Sequence, residues 1–148
     1  MNGAALALQK AILAWLQAAP LLMEKLRGQG IYDHVPPAAP YPYISFGQGQ
    51  VYAWNTDNTN GEEHSIVLNI RARSTGRRQV LELMMLVEEL METLGASGSV
   101  SGRRPDIGGY SLVNLTLQSS QIRNEELRDG YSGQLRYRVV TEQIGKET

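Results

Sequence analysis

The stretch HSIVLNIRARSTGRRQVLELMMLVEELMETL, residues 64–94, changes its apolar period once, and that change decides the fold class. Over 64–73, Ile66, Leu68, Ile70 and Ala72 recur every second residue, the spacing of a strand with one buried face. Ser74, Thr75 and Gly76 then break the alternation and offer candidate helix N-caps. From 77 to 94 the spacing becomes helical: Val80, Met84, Val87, Met91 and Leu94 form a stripe, broadened by Leu83 and Leu90. Gly95 reads as the stop of this helix. The strand face and the helix stripe are the two largest apolar surfaces in the chain, so they are expected to pack together.

Working outward, residues 4–18 are dense in helix formers, with Leu8, Ile12, Trp15 and Leu16 on one face. Pro20 suits the start of a further turn over 21–26, which Gly28 and Gly30 close. Four prolines at 36–42 exclude helix and central strand, and this extended connector releases into a short strand, Tyr43 to Phe46. Residues 47–63 read mainly as a polar loop, in which Val51, Tyr52 and Trp54 extend a strand before TDNTNG turns the chain. Residues 95–109 read as loop, with room for a single helical turn or a strand fragment around Val100. Residues 111–119 alternate with Val113, Leu115 and Leu117 on one face, and 121–130 form a charged connector. Gln134 to Glu142 alternate again, with Leu135, Tyr137, Val139 and Thr141 opposite Arg136, Arg138 and Glu142. The order helix, strand, strand, helix, strand, strand predicts an α+β fold: a small, mostly antiparallel sheet with two helices on one face and long polar loops.

A chain of 148 residues suits a single domain, here 1–148. At 42% hydrophobic and net charge −1 it is too apolar for a disordered chain, and it lacks an apolar run long enough for a membrane helix. Its start has no basic segment ahead of an apolar one, so a soluble, cytoplasmic protein is expected. The absence of cysteine removes disulfides, thiolate metal sites and cysteine nucleophiles. His34 beside Asp33, and His64 beside Glu62 and Glu63, form no recognised ligand spacing, so no metal is expected. No nucleophile elbow and no phosphate loop is present: GASGSVSGRRPDIGG lacks the lysine and does not open a helix after a strand. The expectation is a protein with no catalytic residues and no cofactor.

Nucleic acid has candidate contacts in Arg71, Arg73, Arg77, Arg78, Arg103, Arg104, Arg136 and Arg138, with Tyr41, Tyr43, Phe46, Tyr52 and Trp54 for stacking. Eleven arginines and three lysines are balanced by fifteen acids, so these cations read first as solvated faces. One charge pattern is odd. Arg77 and Arg78 open the second helix while Glu88, Glu89 and Glu92 lie near its expected end, both against the helix dipole. Arg78 recovers part of this as an i,i+4 pair with Glu82. Either the cost is tolerated, or each end meets an oppositely charged neighbour, as in a head-to-tail ring.

The run IYDHVPPAAPYPYISFG (31–47) resembles the signature of phage tail-completion, or tail-terminator, proteins. EEHSIVLNIRARSTGRRQVLELM (62–84) is similar to that family's strand, Ser/Gly break and amphipathic helix, and 112–142 to its closing pair of strands around a polar loop. The YDHVP…YPY block is the most specific piece, and a longer Gly/Ser-rich stretch after the second helix departs from the pattern. The resemblance implies a non-enzymatic structural protein of a long-tailed phage or a phage-derived particle such as a gene transfer agent. It implies a ring, typically a homohexamer, at the head-proximal end of the tail tube, ending tube polymerisation and joining tail to head. Implied partners are further copies of the chain, the tail tube protein and a head completion or connector protein, with DNA only as cargo and no membrane. The implied location is the virion's head–tail junction, after a period in the host cytoplasm. A neighbouring head–tail connector or adaptor is the alternative within the same particle, and a small nucleic-acid-binding regulatory module the alternative outside it. In a ring, Arg77 and Arg78 would meet Glu88, Glu89, Glu92, Glu125 or Glu126 of the next subunit. Tyr52 and Trp54 would serve as partner anchors, unless segment 51–54 packs back on the sheet.

Overall fold

The computed structural model describes residues 3–27, 30–53, 61–73, 76–101, 106–125 and 130–144, without the side chains of 97–101, 106 and 125. Helices α1 (Gly3–Gln17) and α2 (Pro20–Lys25) precede strands β1 (Ile31–Tyr32), β2 (Tyr43–Phe46), β3 (Gln50–Ala53) and β4 (Gly61–Arg73). Helix α3 (Arg77–Ser101) then leads to β5 (Asp106–Ile107), β6 (Tyr110–Glu125) and β7 (Gly130–Gln143). The strands form one sheet in the order β1-β2-β4-β7-β6-β5, with β3 paired to β4 beyond the end of β2. Every pairing is antiparallel except β1 with β2, so the architecture is α+β as expected.

The two faces of the sheet follow from the alternation. On β4, Leu68, Ile70 and Ala72 are fully buried, and Leu135 and Val139 of β7 are their counterparts on the same face. Helix α3 covers them with Val80, Leu83, Met84, Val87 and Met91, so the helix stripe and strand face do join in one core. Helix α1 adds Ala4, Leu8, Ile12 and Leu16, each spaced by four and each without exposure. Trp15 lies at the margin of this stripe, half-buried, and its indole Nε1–H donates to the Leu90 carbonyl of α3 at 2.7 Å. The opposite face is polar. Cross-strand register sets Tyr43, Arg71, Ser132 and Arg123 in one row, and Ser45, Asn69, Gln134 and Gln121 in the next.

Several boundaries differ from the sequence expectation. Gly95 does not stop α3, which continues to Ser101 through residues expected to be loop. Gly95 serves a close approach instead: a Cβ there would lie 3.2 Å from Leu115 Cβ and 3.3 Å from the Leu115 carbonyl oxygen of β6. The charged connector over 121–130 is also largely strand, because β6 runs to Glu125 and β7 begins at Gly130. Likewise β4 starts at Gly61, inside the segment read as loop. On β6 the buried face is set by two register shifts, between Leu112 and Asn114 and between Leu117 and Ser119. Each inserts one residue and reverses the alternation, so Leu112 rather than Val113 faces the core with Leu115 and Ile122. The chain leaves α2 through Arg27 at φ 61°, a left-handed position expected of glycine, and through Gly30 at φ 103°. Gly28 and two of the candidate N-caps, Ser74 and Thr75, lie outside the described residues. The third, Gly76, accepts the Val80 N–H at 2.8 Å.

Candidate assembly surface

The solvent face of α3 brings together most of the residues singled out for assembly. Successive steps of three and four residues place Arg78, Leu81, Met85, Glu88, Glu89 and Glu92 along one side, with Arg77 at its edge. The side opposite holds the buried Val80, Met84, Val87 and Met91. Leu81 is 40% exposed and Met85 64% exposed. The strip is therefore basic at one end, apolar in the middle and acidic toward the other.

Sequence reasoning missed the apolar middle. The signal was present: five consecutive apolar residues, Leu83 to Val87, cannot all fit one buried stripe, so some must face solvent. Reading the stripe as broad absorbed that excess into the core and left Leu81 and Met85 out of account.

The two arginines differ in their surroundings. Arg78 Nε–H donates to Glu82 Oε1 at 3.0 Å, and Lys25 Nζ of α2 approaches Glu82 Oε2 at 3.3 Å. Lys25, through its hydrogen bond and charge, and then Arg78 hold the Glu82 carboxyl below its usual range. Arg77 is exposed and forms no ion pair with a described residue. Glu88 and Glu92 act inward on Tyr137, whose hydroxyl lies buried with no hydrogen-bond partner among the described residues. Burial, and then these two carboxylates, push the Tyr137 phenol well above its ordinary range.

Because α3 runs to Ser101, Glu88, Glu89 and Glu92 sit in its interior rather than near its end. The dipole acts on the first and last turns only, so these glutamates bear no cost from it, and the arginines alone are misplaced. Glu125 ends β6 opposite Gly130, but its side chain and all of Glu126 lie outside the described residues. The backbone of Tyr52 joins the sheet, since β3 pairs with β4, but its side chain is 54% exposed and its hydroxyl hydrogen-bonds Gln50 Oε1. Trp54 lies outside the described residues.

The two histidines are unlike each other. His34 is exposed. His64 is buried at 1% exposure, with Nε2 at 3.0 Å from Thr141 Oγ1 and 3.8 Å from Glu62 Oε1. Burial lowers its pKa and favours the neutral ring. Among the described residues no three of His, Asp or Glu gather as a metal set would.

No protein of curated function matches the sequence. A solved chain from the "virion of native gene transfer agent (GTA) particle" shares the fold, with a TM-score of 0.80 at 24% identity over 96% of this chain and 99% of that one. The profile of the family described as "Tail completion protein gp17" matches residues 10–142, nearly the whole fold just described. The chain thus belongs to the tail completion protein gp17 family of phage tail structural proteins.

Proposed function

We propose that the protein forms a homomeric ring at the head-proximal end of the tail tube, ends tube polymerisation there and joins the tail to the head. The ring is a hexamer, its tail-side partner the tube protein and its head-side partner a completion or connector protein. The chain folds in the host cytoplasm and comes to reside at the head–tail junction, with DNA passing through and no catalytic step. Family membership supports the tail role. The bipolar face of α3 carries the ring. A ring closes through heterologous contacts, in which each subunit offers two different patches. Arg77 and Arg78 form one patch and Glu88, Glu89 and Glu92 the other, with Leu81 and Met85 between them supplying apolar area. Exposed Tyr52 on the β3 edge is the anchor for a neighbouring tail protein.

The test reverses one patch. Native mass measurement of the wild-type chain, alone and with tail tube protein, is expected to show a discrete multiple of 16.4 kDa. Arg77→Glu with Arg78→Glu should leave a folded monomer that no longer closes, and particles carrying it should have overlong tails or unjoined heads. A wild-type chain that stays monomeric in both settings refutes the ring. A reversed chain that still closes and gives tails of normal length refutes the arginine contact.

A further inference from the structure

The polar face of the sheet contains a recess of about 380 Å³, walled by Val35 and Tyr43 from the proline-rich block and floored by β4, β6 and β7. Two arginines line it, Arg71 and Arg123, and among the described residues no aspartate or glutamate does. Of the Arg71 guanidinium, Nε and Nη2 are buried with no hydrogen-bond partner among the described residues. These two nitrogens share one edge of the guanidinium, and their N–H bonds run parallel, the arrangement that matches both oxygens of a carboxylate. A buried donor left unmet costs stability, so this edge is a poor device for folding and a prepared one for binding.

Three other described cations of this face, Arg138, Arg136 and Arg73, are already engaged. Arg138 pairs with Glu63 at 2.9 Å, Arg136 donates to Ser65 Oγ at 3.0 Å, and Arg73 lies over the Tyr41 ring at 5.8 Å. Tyr41 in turn stacks on Tyr43, which meets Tyr32 edge-on, so the wall beside Arg71 is held by a cluster of rings. We propose that this recess is a socket for a single aspartate or glutamate side chain presented by another protein chain. Arg71 grips the carboxylate along its unpaired edge, Arg123 adds charge at the rim, and the side-chain amide of Gln121 offers hydrogen bonds to the flanking backbone. A nucleic acid backbone would need a row of unpaired cations, and here the neighbouring ones are taken. The socket is independent of the ring, since it is complete within one chain.

The test uses the isolated chain and a capped peptide of alternating glycine and aspartate, compared with its glycine–asparagine counterpart and with a DNA duplex. The acidic peptide is expected to bind at least tenfold tighter than the amide peptide and to shift the Arg71 Nε–Hε resonance at saturation. Arg71→Gln and Arg71→Lys should each abolish the preference without lowering the melting temperature, and Arg123→Gln at the exposed rim should weaken it severalfold. Equal binding of the two peptides, or a preference that survives Arg71→Gln, overturns the proposal. A duplex that binds through Arg71 while the acidic peptide does not also overturns it, and assigns the recess to phosphate.

Discussion

Gly95→Ala distinguishes a helix stop from a close contact, because the two readings predict opposite signs. In an unobstructed helix interior the change is stabilising by about 1 kcal/mol, since alanine loses less backbone freedom than glycine. At Gly95 the new Cβ meets Leu115 Cβ at 3.2 Å and the Leu115 carbonyl oxygen at 3.3 Å. Neither atom can rotate away: one is fixed to the Leu115 backbone and the other belongs to it, in a strand paired with Val139. The whole of α3 must lift from β6 by a few tenths of an ångström, and overpacking of this kind typically costs about 1–3 kcal/mol. The net expectation is a loss of about 1 kcal/mol, which for a domain of this size lowers the melting temperature by roughly 2–4 °C. Thermal and urea unfolding followed by circular dichroism at helix and sheet wavelengths measure it. An increase in melting temperature of similar size would falsify the close approach and leave α3 detached from β6 at this turn.

Met91→Asp and Met85→Asp form a matched pair, six residues apart on the same helix: Met91 has no exposure and Met85 has 64%. Met91→Asp should unfold the domain, as an unpaired buried charge costs several kcal/mol, whereas Met85→Asp should melt normally and lose only self-association, both read from melting curves and sedimentation. His34→Ala should change nothing measurable, but His64→Ala should cost about 2 kcal/mol through the lost packing and the orphaned Thr141 hydroxyl, as denaturant titration would show. Since burial lowers the His64 pKa, the unfolded chain takes up the proton first. The associated stability is therefore full above the unfolded-state value of 6.5 and is lost as pH falls below it toward the folded pKa. Melting temperatures from pH 7.5 to 5 should show that acid limb in the wild type and lack it in His64→Asn. Trp15→Phe should cost about 1 kcal/mol by removing the indole donor to Leu90, with an unchanged melting curve as the contrary result.

What the sequence made legible was periodic. The strands of β4 and β7 and the buried stripes of α1 and α3 were readable because burial enforces a two- or near-four-residue spacing on each. The misreadings share a different cause. Gly95 looks like a terminator from local propensity, and only the contact with Leu115, twenty residues later, reveals that its missing side chain is needed for packing. On β6 the register shifts after Leu112 and after Leu117 reverse the alternation, so a strict count from Leu115 misplaces Val113 and the residues beyond Leu117. One local signal was available and unused. Gly108-Gly109, at φ 59° and 91°, joins β5 to β6 as the two-residue glycine turn that hairpins favour. Of the residues proposed for assembly, Arg77 and Arg78 were legible as charge out of place, but the pairing of Arg71 with Arg123 was not, because strand pairing joins them across β4, β7 and β6 from positions 52 residues apart.

The longer helix sharpens the charge argument to one residue. Three glutamates that stand in the interior of α3 no longer oppose its dipole, and Arg78 is partly compensated by Glu82. Arg77 remains, at the first position of a helix with no acidic residue in its first turn and no ion pair to a described residue. An exposed cation there costs roughly 0.3–1 kcal/mol at low ionic strength, and a carboxylate gains a similar amount. Arg77→Glu should therefore stabilise the isolated chain, raising its melting temperature by about 1–8 °C in low salt and by less in high salt. If the arginine meets an acidic patch on the next subunit, the same change should weaken self-association as it strengthens the fold. Melting and sedimentation of one variant at two salt concentrations read both effects. A chain that gains stability and assembles as before would show that Arg77 is a tolerated surface charge, and the ring contact would then have to lie elsewhere on the α3 face.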